Sequence, residues 1–243
     1  MSGNRTAVVA GALGWGAQRL SFVEEEVAGL RPFVPRGAEC LDIGAEYGLY
    51  TWMLSALAGP TGHIHSVEPL PGPSHWLHTA ARLLGARNVT VHRTALGERP
   101  GQGTLSLPVR RGLPVHGRAY LTEGTDGPGP NAEFHTARIV RAPVRTLDQL
   151  ARRVGLERLT FIKADVEGAE LAVLRGGPET LRRFRPVLLL EIEDRHLAKY
   201  GGDPGEVVEH LQGLGYGAHR HRNGRWVSVP RVTDDCRNYL FTT

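Results

Sequence analysis

The chain reads as an α/β fold, a mostly parallel sheet covered by helices on both faces. Three observations predict it. From residue 40 onward, short apolar runs of strand length alternate with segments of helix length, the pattern of a parallel sheet with helical crossovers. The run at 186–192 is apolar almost throughout, as a strand buried on both faces requires. Finally, three apolar runs end in acids: Leu41-Asp42-Ile43-Gly44-Ala45-Glu46, Val67-Glu68-Pro69 and Ile162-Lys163-Ala164-Asp165-Val166-Glu167. Ligands of open α/β sheets sit outside the carboxyl ends of the strands, so these acids point to one shared cleft.

Taken in order, residues 1–36 read as a helical preface. Ser21 is its expected cap, Glu24, Glu25 and Glu26 suit the first turn, and Phe22, Val23, Val27 and Leu30 form the apolar stripe. Pro32 and Pro35 stop it. The apolar stretch at 7–13 has one arginine before it and Trp15 and Gln18 soon after, a poor layout for a secretion signal. The main domain, residues 37–243, then predicts strands at 40–43, 63–67, 89–95, 159–164, 186–192, 216–222, 225–229 and 238–241. Helices are expected at 49–57, 75–84, 147–154, 169–174 and 204–214. Thr146 caps the third of these helices, and Asp203 caps the last, with Pro204 at its first position. Residues 101–142 break the alternation. They are rich in Gly, Pro and Arg, offer one extra strand at 104–107, and read as a substrate-facing insert.

Composition sets outer limits. Hydrophobic residues at 41% and charged residues at 22% describe an ordinary globular chain. No stretch has the apolar length of a membrane span. Cys40 and Cys236, the only cysteines, make neither a disulfide framework nor a zinc site, so a reducing cytoplasm is the expected location. The net charge of +4 comes from scattered arginines; Lys163 and Lys199 are the only lysines. A nucleic-acid surface would cluster those charges among aromatics, which are 7% here and dispersed.

The first acidic end, Asp42-x-Gly44-x-x-x-Gly48, lets backbone pass close to a ligand. It is not the Gly-x-Gly-x-x-Gly of dinucleotide folds. Glu46 stands where that motif makes room for a pyrophosphate, and a carboxylate there favours a ligand with positive charge, such as a sulfonium and an ammonium. Glu68 suits ribose hydroxyls. Thr94-Ala95 follows the third strand, where a small residue and its amide could face an adenine.

Together with Tyr47, Tyr50, Thr51, Ala95-Leu96-Gly97, Thr146-Leu147-Asp148 and the block Asp165-Val166-Glu167-Gly168-Ala169-Glu170, these segments resemble the FkbM family of S-adenosylmethionine-dependent methyltransferases over residues 38–215. The Asp-Val-Glu-Gly-Ala-Glu block is the specific part. The resemblance implies a class I methyltransferase fold, Rossmann-like, with a seven-stranded sheet whose last strand is antiparallel. It also implies O-methylation of a small-molecule hydroxyl, on a sugar or polyketide of secondary metabolism such as antibiotic biosynthesis. The expected cofactor contacts are Asp42, Gly44, Ala45, Glu46, Tyr47, Gly48, Tyr50, Thr51, Glu68, Thr94, Ala95 and Asp165. One departure is Glu46, where the family commonly has Asn.

An alcohol needs help to lose its proton near neutral pH, from a base or a metal. Asp165 and Glu191 end what should be adjacent strands, and His196 follows closely. Either Asp165 or His196 acts as base, or Asp165 and Glu191 hold a divalent ion such as Mg²⁺. Glu170 is expected to serve the helix N-terminus. Lys163 shares a strand face with Asp165 and is expected to pair with Asp165 or Glu191. The competing readings are a nicotinamide-dependent oxidoreductase and a nucleic-acid methyltransferase. The leading one expects no nucleic acid and no membrane as partner, and leaves a homodimer open.

Overall fold

The structure, a computed structural model, describes residues 25–243. The main sheet has the order β12-β11-β13-β10-β9-β1-β2-β3. Its strands are β1 (Glu39–Ile43), β2 (His63–Val67), β3 (Val89–His92), β9 (Phe161–Ala164), β10 (Val187–Glu191), β11 (Gly217–Arg222), β12 (Arg225–Val229) and β13 (Asn238–Thr242). From β10 to β3 the pairs are all parallel, while β13 lies antiparallel between β10 and β11. Seven strands thus follow the expected layout, including the reversed last strand. The correction is to the count of seven: the strand expected at 225–229 forms an eighth, β12, which folds back on β11 at the sheet edge.

The crossovers are α1 (Leu49–Ala58), α2 (Pro71–Leu84), α3 (Leu147–Val154), α4 (Glu170–Arg175), α5 (Pro178–Phe184), α6 (Asp194–Leu197) and α7 (Pro204–Gly213). Thr146 caps α3 in a capping box with Gln149, and the Asp203 carboxylate caps α7. Helix α2 starts four residues before its expected position, because Pro71 sits in its first turn. Helices α5 and α6 were not expected; at seven and four residues they are too short for a periodic pattern to stand out. Two apolar layers cover the sheet. One packs Leu150, Leu174, Leu181 and Leu211 against Leu41, Ile162 and Leu188. The other packs Leu54, Val27 and Leu30 against Cys40, Phe161 and Leu189.

The preface is described only from Glu25, where Glu25–Leu30 forms a 3₁₀ helix rather than the expected α-helix. Val27 and Leu30 are buried, as the stripe predicted. The expected Ser21 cap, Glu24, Phe22 and Val23 lie outside the described residues.

The insert departs most from expectation. It is not loop with a single strand but a second sheet of order β4-β8-β5-β6, from β4 (Ala95–Leu96), β5 (Gly101–Arg110), β6 (Leu113–Pro114) and β8 (Thr136–Arg145). A further short strand, β7 (Tyr120–Leu121), pairs with β5. Strands β5 and β8 form a long antiparallel ribbon from Gly101↔Val144 to Val109↔Thr136. Leu105 and Leu107 alternate inward and bury a small core with Leu70 and Ala142, a period of two that glycine and proline masked in the sequence. The expected strand at 89–95 is also divided. The Thr94 hydroxyl donates to the Pro143 carbonyl at 2.8 Å, and Ala95 pairs with Val144 in the second sheet. Among the described residues no helix is long and apolar enough to cross a membrane.

Candidate active site

A cleft opens at the carboxyl ends of β1, β2, β9 and β10 and is roofed by insert residues 116–121. Of the residues expected from the sequence, Gly44, Glu46, Glu68, Thr94, Ala95, Asp165, Glu191 and His196 line it. Asp42, Ala45, Tyr47, Gly48, Tyr50 and Thr51 do not. Asp42 and Thr51 sit behind the wall, where the Thr51 hydroxyl donates to the Asp42 carboxylate and lies 2.7 Å from the Ser66 hydroxyl. Burial pushes Asp42 up to about 6, partly offset by that hydrogen bond. From there it supports the loop that follows β1.

The loop after β1 is held by the amides of Gly44 and Ala45, which both donate to the Val67 carbonyl. Gly44 has φ +79, and a Cβ there would stand 1.8 Å from the Asp165 carbonyl oxygen. This glycine lets two strand ends meet, so its chief role is packing. Glu46 also has positive φ. Its amide donates to Glu68 Oε2 at 2.9 Å, while its carboxylate lies against Gly117 of the insert. Tyr47 reaches the same turn, with its hydroxyl 2.9 Å from His116 Nδ1. The loop after β1 and the insert therefore meet at two points that the sequence did not reveal.

Glu68 is buried, and each carboxylate oxygen accepts one backbone hydrogen bond, from Glu46 and from Leu70. Burial pushes it up to about 7. Each oxygen keeps a further acceptor site toward the cleft.

The parallel register Leu190↔Ala164 sets Asp165 beside Glu191. Glu191 is hydrogen-bonded to Asp165 and holds its proton far above the carboxylate range, first from burial and then from the Asp165 charge. Lys163 lies beneath, with Nζ 3.9 Å from Asp165 Oδ2 and donating to Asn238 Oδ1 at 3.2 Å. Lys163 is only 1% exposed, whereas the Asp165 side chain is 34% exposed and faces the cleft. The pairing expected for Lys163 is thus present.

A second buried cluster flanks this pair. His196 is buried on α6, with Nδ1 3.3 Å from Glu167 Oε2; the same oxygen lies 3.7 Å from Lys199 Nζ and 3.9 Å from Arg118 Nε. Burial raises Glu167, and burial together with Lys199 pushes His196 down to about 4, so its imidazole is neutral. Glu167 was left without a role by the sequence, and Lys199 and Arg118 gave no local signal. Glu170 serves the turn more than the helix: its Oε1 accepts from the amides of Val166 and Gly168. Gly168 has φ +104 and leaves no room for a Cβ, which would lie 2.2 Å from the His196 carbonyl oxygen.

The metal expectation named Asp165 and Glu191. Among the described residues the three groups able to converge on an ion are Glu167, Glu191 and His196, with ligand atoms within 4.8 Å of one another. Asp165 is not one of them. Lys199 and Arg118 already stand against the Glu167 oxygen, and Glu191 spends its proton on Asp165. The donors are balanced by fixed cations and fit a divalent ion poorly. Asp165 and Glu191 stand side by side as two acids, of which burial raises Glu191.

One proton on that pair has a consequence for stability. Glu191 is raised in the folded chain relative to the unfolded one, so the folded state binds more protons, and stability present at low pH is lost as pH rises toward the folded value. Thermal unfolding of the unliganded protein between pH 7 and 9 should show a loss of about 1 kcal/mol per pH unit. Glu191→Gln, which keeps a donor to Asp165 without a titrating proton, should flatten that slope; an equal slope in the variant counts against the shared proton.

The model of the methyltransferase FkbM domain matches residues 42–218. The AMB antimetabolite synthetase AmbE of Pseudomonas aeruginosa is 26% identical over a match covering 80% of this chain and 10% of AmbE. The chain thus spans about a tenth of the length of that relative. A solved methyltransferase FkbM from Methylobacillus flagellatus superposes with a TM-score of 0.54 at 17% identity, over 86% of this chain and 44% of that one. Fibrillarin of Aeropyrum pernix, solved with natively bound S-adenosyl-L-methionine, superposes with a TM-score of 0.53 at 16% identity, over 94% of this chain and 76% of fibrillarin. Both structures share the α/β fold described above.

Proposed function

Since the chain belongs to the methyltransferase FkbM family, we propose that it is an S-adenosylmethionine-dependent O-methyltransferase acting on a small-molecule hydroxyl, on a sugar or polyketide moiety of secondary metabolism. The observation that carries this reading is the Asp165–Glu191 pair, seated on Lys163 in the same cleft as Glu68. The cleft suits the cofactor at its β1–β2 side. Glu68 has acceptor sites left for a ribose diol, and Glu46 places a carboxylate where a cationic ligand is favoured. The backbone beside Thr94 and Ala95 offers a wall for a base.

S-adenosylmethionine, when bound, supplies an electrophilic methyl group whose sulfur leaves neutral. The chain's own task is to align an oxygen and accept its proton. Asp165 is the group placed for it: exposed to the cleft, with Lys163 Nζ 3.9 Å beneath it, and partnered by a Glu191 that keeps its own proton. Neutral His196 stands beside it.

Calorimetric titration with S-adenosylhomocysteine, NAD and a short RNA tests the reading. Saturable heat is expected with S-adenosylhomocysteine alone. No heat with that ligand, or tighter binding of NAD, overturns it.

A further inference from the structure

We infer that the acceptor carries an anionic group, a carboxylate or a phosphate, received at the insert end of the cleft by Arg118 with Arg195 and Arg237. This names the acceptor class of the methyltransferase reading and rests on it. The ground is the charge balance of the cleft. Lys163 stands 3.9 Å from Asp165 and balances it, and burial lets the neighbouring Glu191 keep its proton. Glu167 and Lys199, 3.7 Å apart, also cancel, whichever of them holds the proton. His196 is neutral. There remain three guanidiniums lining the cleft, Arg118, Arg195 and Arg237, which cannot lose their charge. Against them stands Glu193, which pairs with both Arg195 and Arg237, while Arg118 has to share the single charge of Glu167 with Lys199. Three cations against one anion leave two positive charges uncompensated. At the other end the charges that act on Glu46 and Glu68 are acidic, Asp165 on the first and Glu46 with Asp42 on the second, so the cleft is acidic toward the cofactor and basic toward the acceptor.

Arg118 is set in place by a reciprocal contact with buried Asn131. Its Nε donates to Asn131 Oδ1 at 3.2 Å, and Asn131 Nδ2 donates back to the Arg118 carbonyl at 2.8 Å. The two terminal nitrogens of Arg118 make no hydrogen bond among the described residues. A fixed planar fork with both outer donors unused matches a carboxylate or phosphate edge.

The test titrates the full chain, saturated with S-adenosylhomocysteine, with malonate and with inorganic phosphate at constant ionic strength, and with glycerol as the neutral control. Saturable binding of at least one anion is expected, at least tenfold tighter than glycerol. Arg118→Gln should weaken it tenfold or more with S-adenosylhomocysteine affinity unchanged. Arg237→Gln, at a largely exposed position, should weaken it several-fold and serves if the first variant does not fold. Tighter malonate assigns a carboxylate and tighter phosphate a phosphate. If S-adenosylhomocysteine binds but neither anion does, or both variants leave anion affinity unchanged, the inference is overturned while the methyltransferase reading stands. Loss of S-adenosylhomocysteine binding in the unaltered chain would instead count against that reading.

Discussion

Asp165→Asn is expected to lower kcat by about 10²–10⁴-fold, the usual weight of a positioned general base, and to leave the affinity for S-adenosylhomocysteine within a few-fold. Asparagine keeps the size of the side chain and can still accept from the Glu191 carboxyl. It lacks the negative charge that draws the hydroxyl proton during displacement. Because Asp165 is one-third exposed and the strand end is held by Gly44 and Glu170, the fold should tolerate the change. The split between kcat and binding is the useful readout. A variant that kept its full rate would move the base to His196, whose neutral imidazole lines the same cleft.

The sequence made the parallel sheet and the adjacency of Asp165 to Glu191 legible, because both follow from local pattern. Apolar runs of four to five residues specify strands, and a parallel register carries the residue after Ala164 to the residue after Leu190. Lys163 was legible for a similar reason, as a lysine inside a buried strand whose two-residue period faces Asp165. What stayed hidden was long-range. The contact of Glu46 and Tyr47 with Gly117 and His116 joins positions about seventy residues apart across a ribbon whose alternation is blurred by Gly101, Gly103 and Pro108. Glu167 could not be assigned because its partners, Arg118, His196 and Lys199, come from the insert and from the segment after β10. Gly44 was readable as a required glycine, and the Asp165 carbonyl is a close neighbour that the sequence did not reveal. Asp42 is buried at its strand end, where the Thr51 hydroxyl donates to it and braces the loop from behind.

The two lysines of the chain have a shared logic that sets up the second large effect. Both are buried, and each stands within 4 Å of a carboxylate at the site, Lys163 by Asp165 and Lys199 by Glu167. A compact ammonium fits under a strand end where the wide guanidinium fork does not. Lys163 packs on the Tyr50 ring at 5.1 Å and donates to the Ala164 carbonyl and to Asn238. Lys163→Met keeps the stem and removes the charge. The Asn238 side-chain oxygen then loses a donor in a buried place, and the Asp165 charge loses its counterion. A stability loss of about 1–3 kcal/mol follows, less than for a fully buried pair because Asp165 reaches solvent. The sign of the kinetic effect is fixed by the same charge. Without the ammonium the protonated form of the carboxyl pair is favoured, so the acid limb of the pH–rate profile moves to higher pH. Activity at pH 6 should fall about tenfold and recover in part as the pH is raised. Lys163→Arg should not restore it, since Lys163 is fully buried and a wider guanidinium would have to displace its packed neighbours. A Lys163→Met protein that folded, bound S-adenosylhomocysteine and kept the original pH profile would show that Lys163 supports the sheet and not the base.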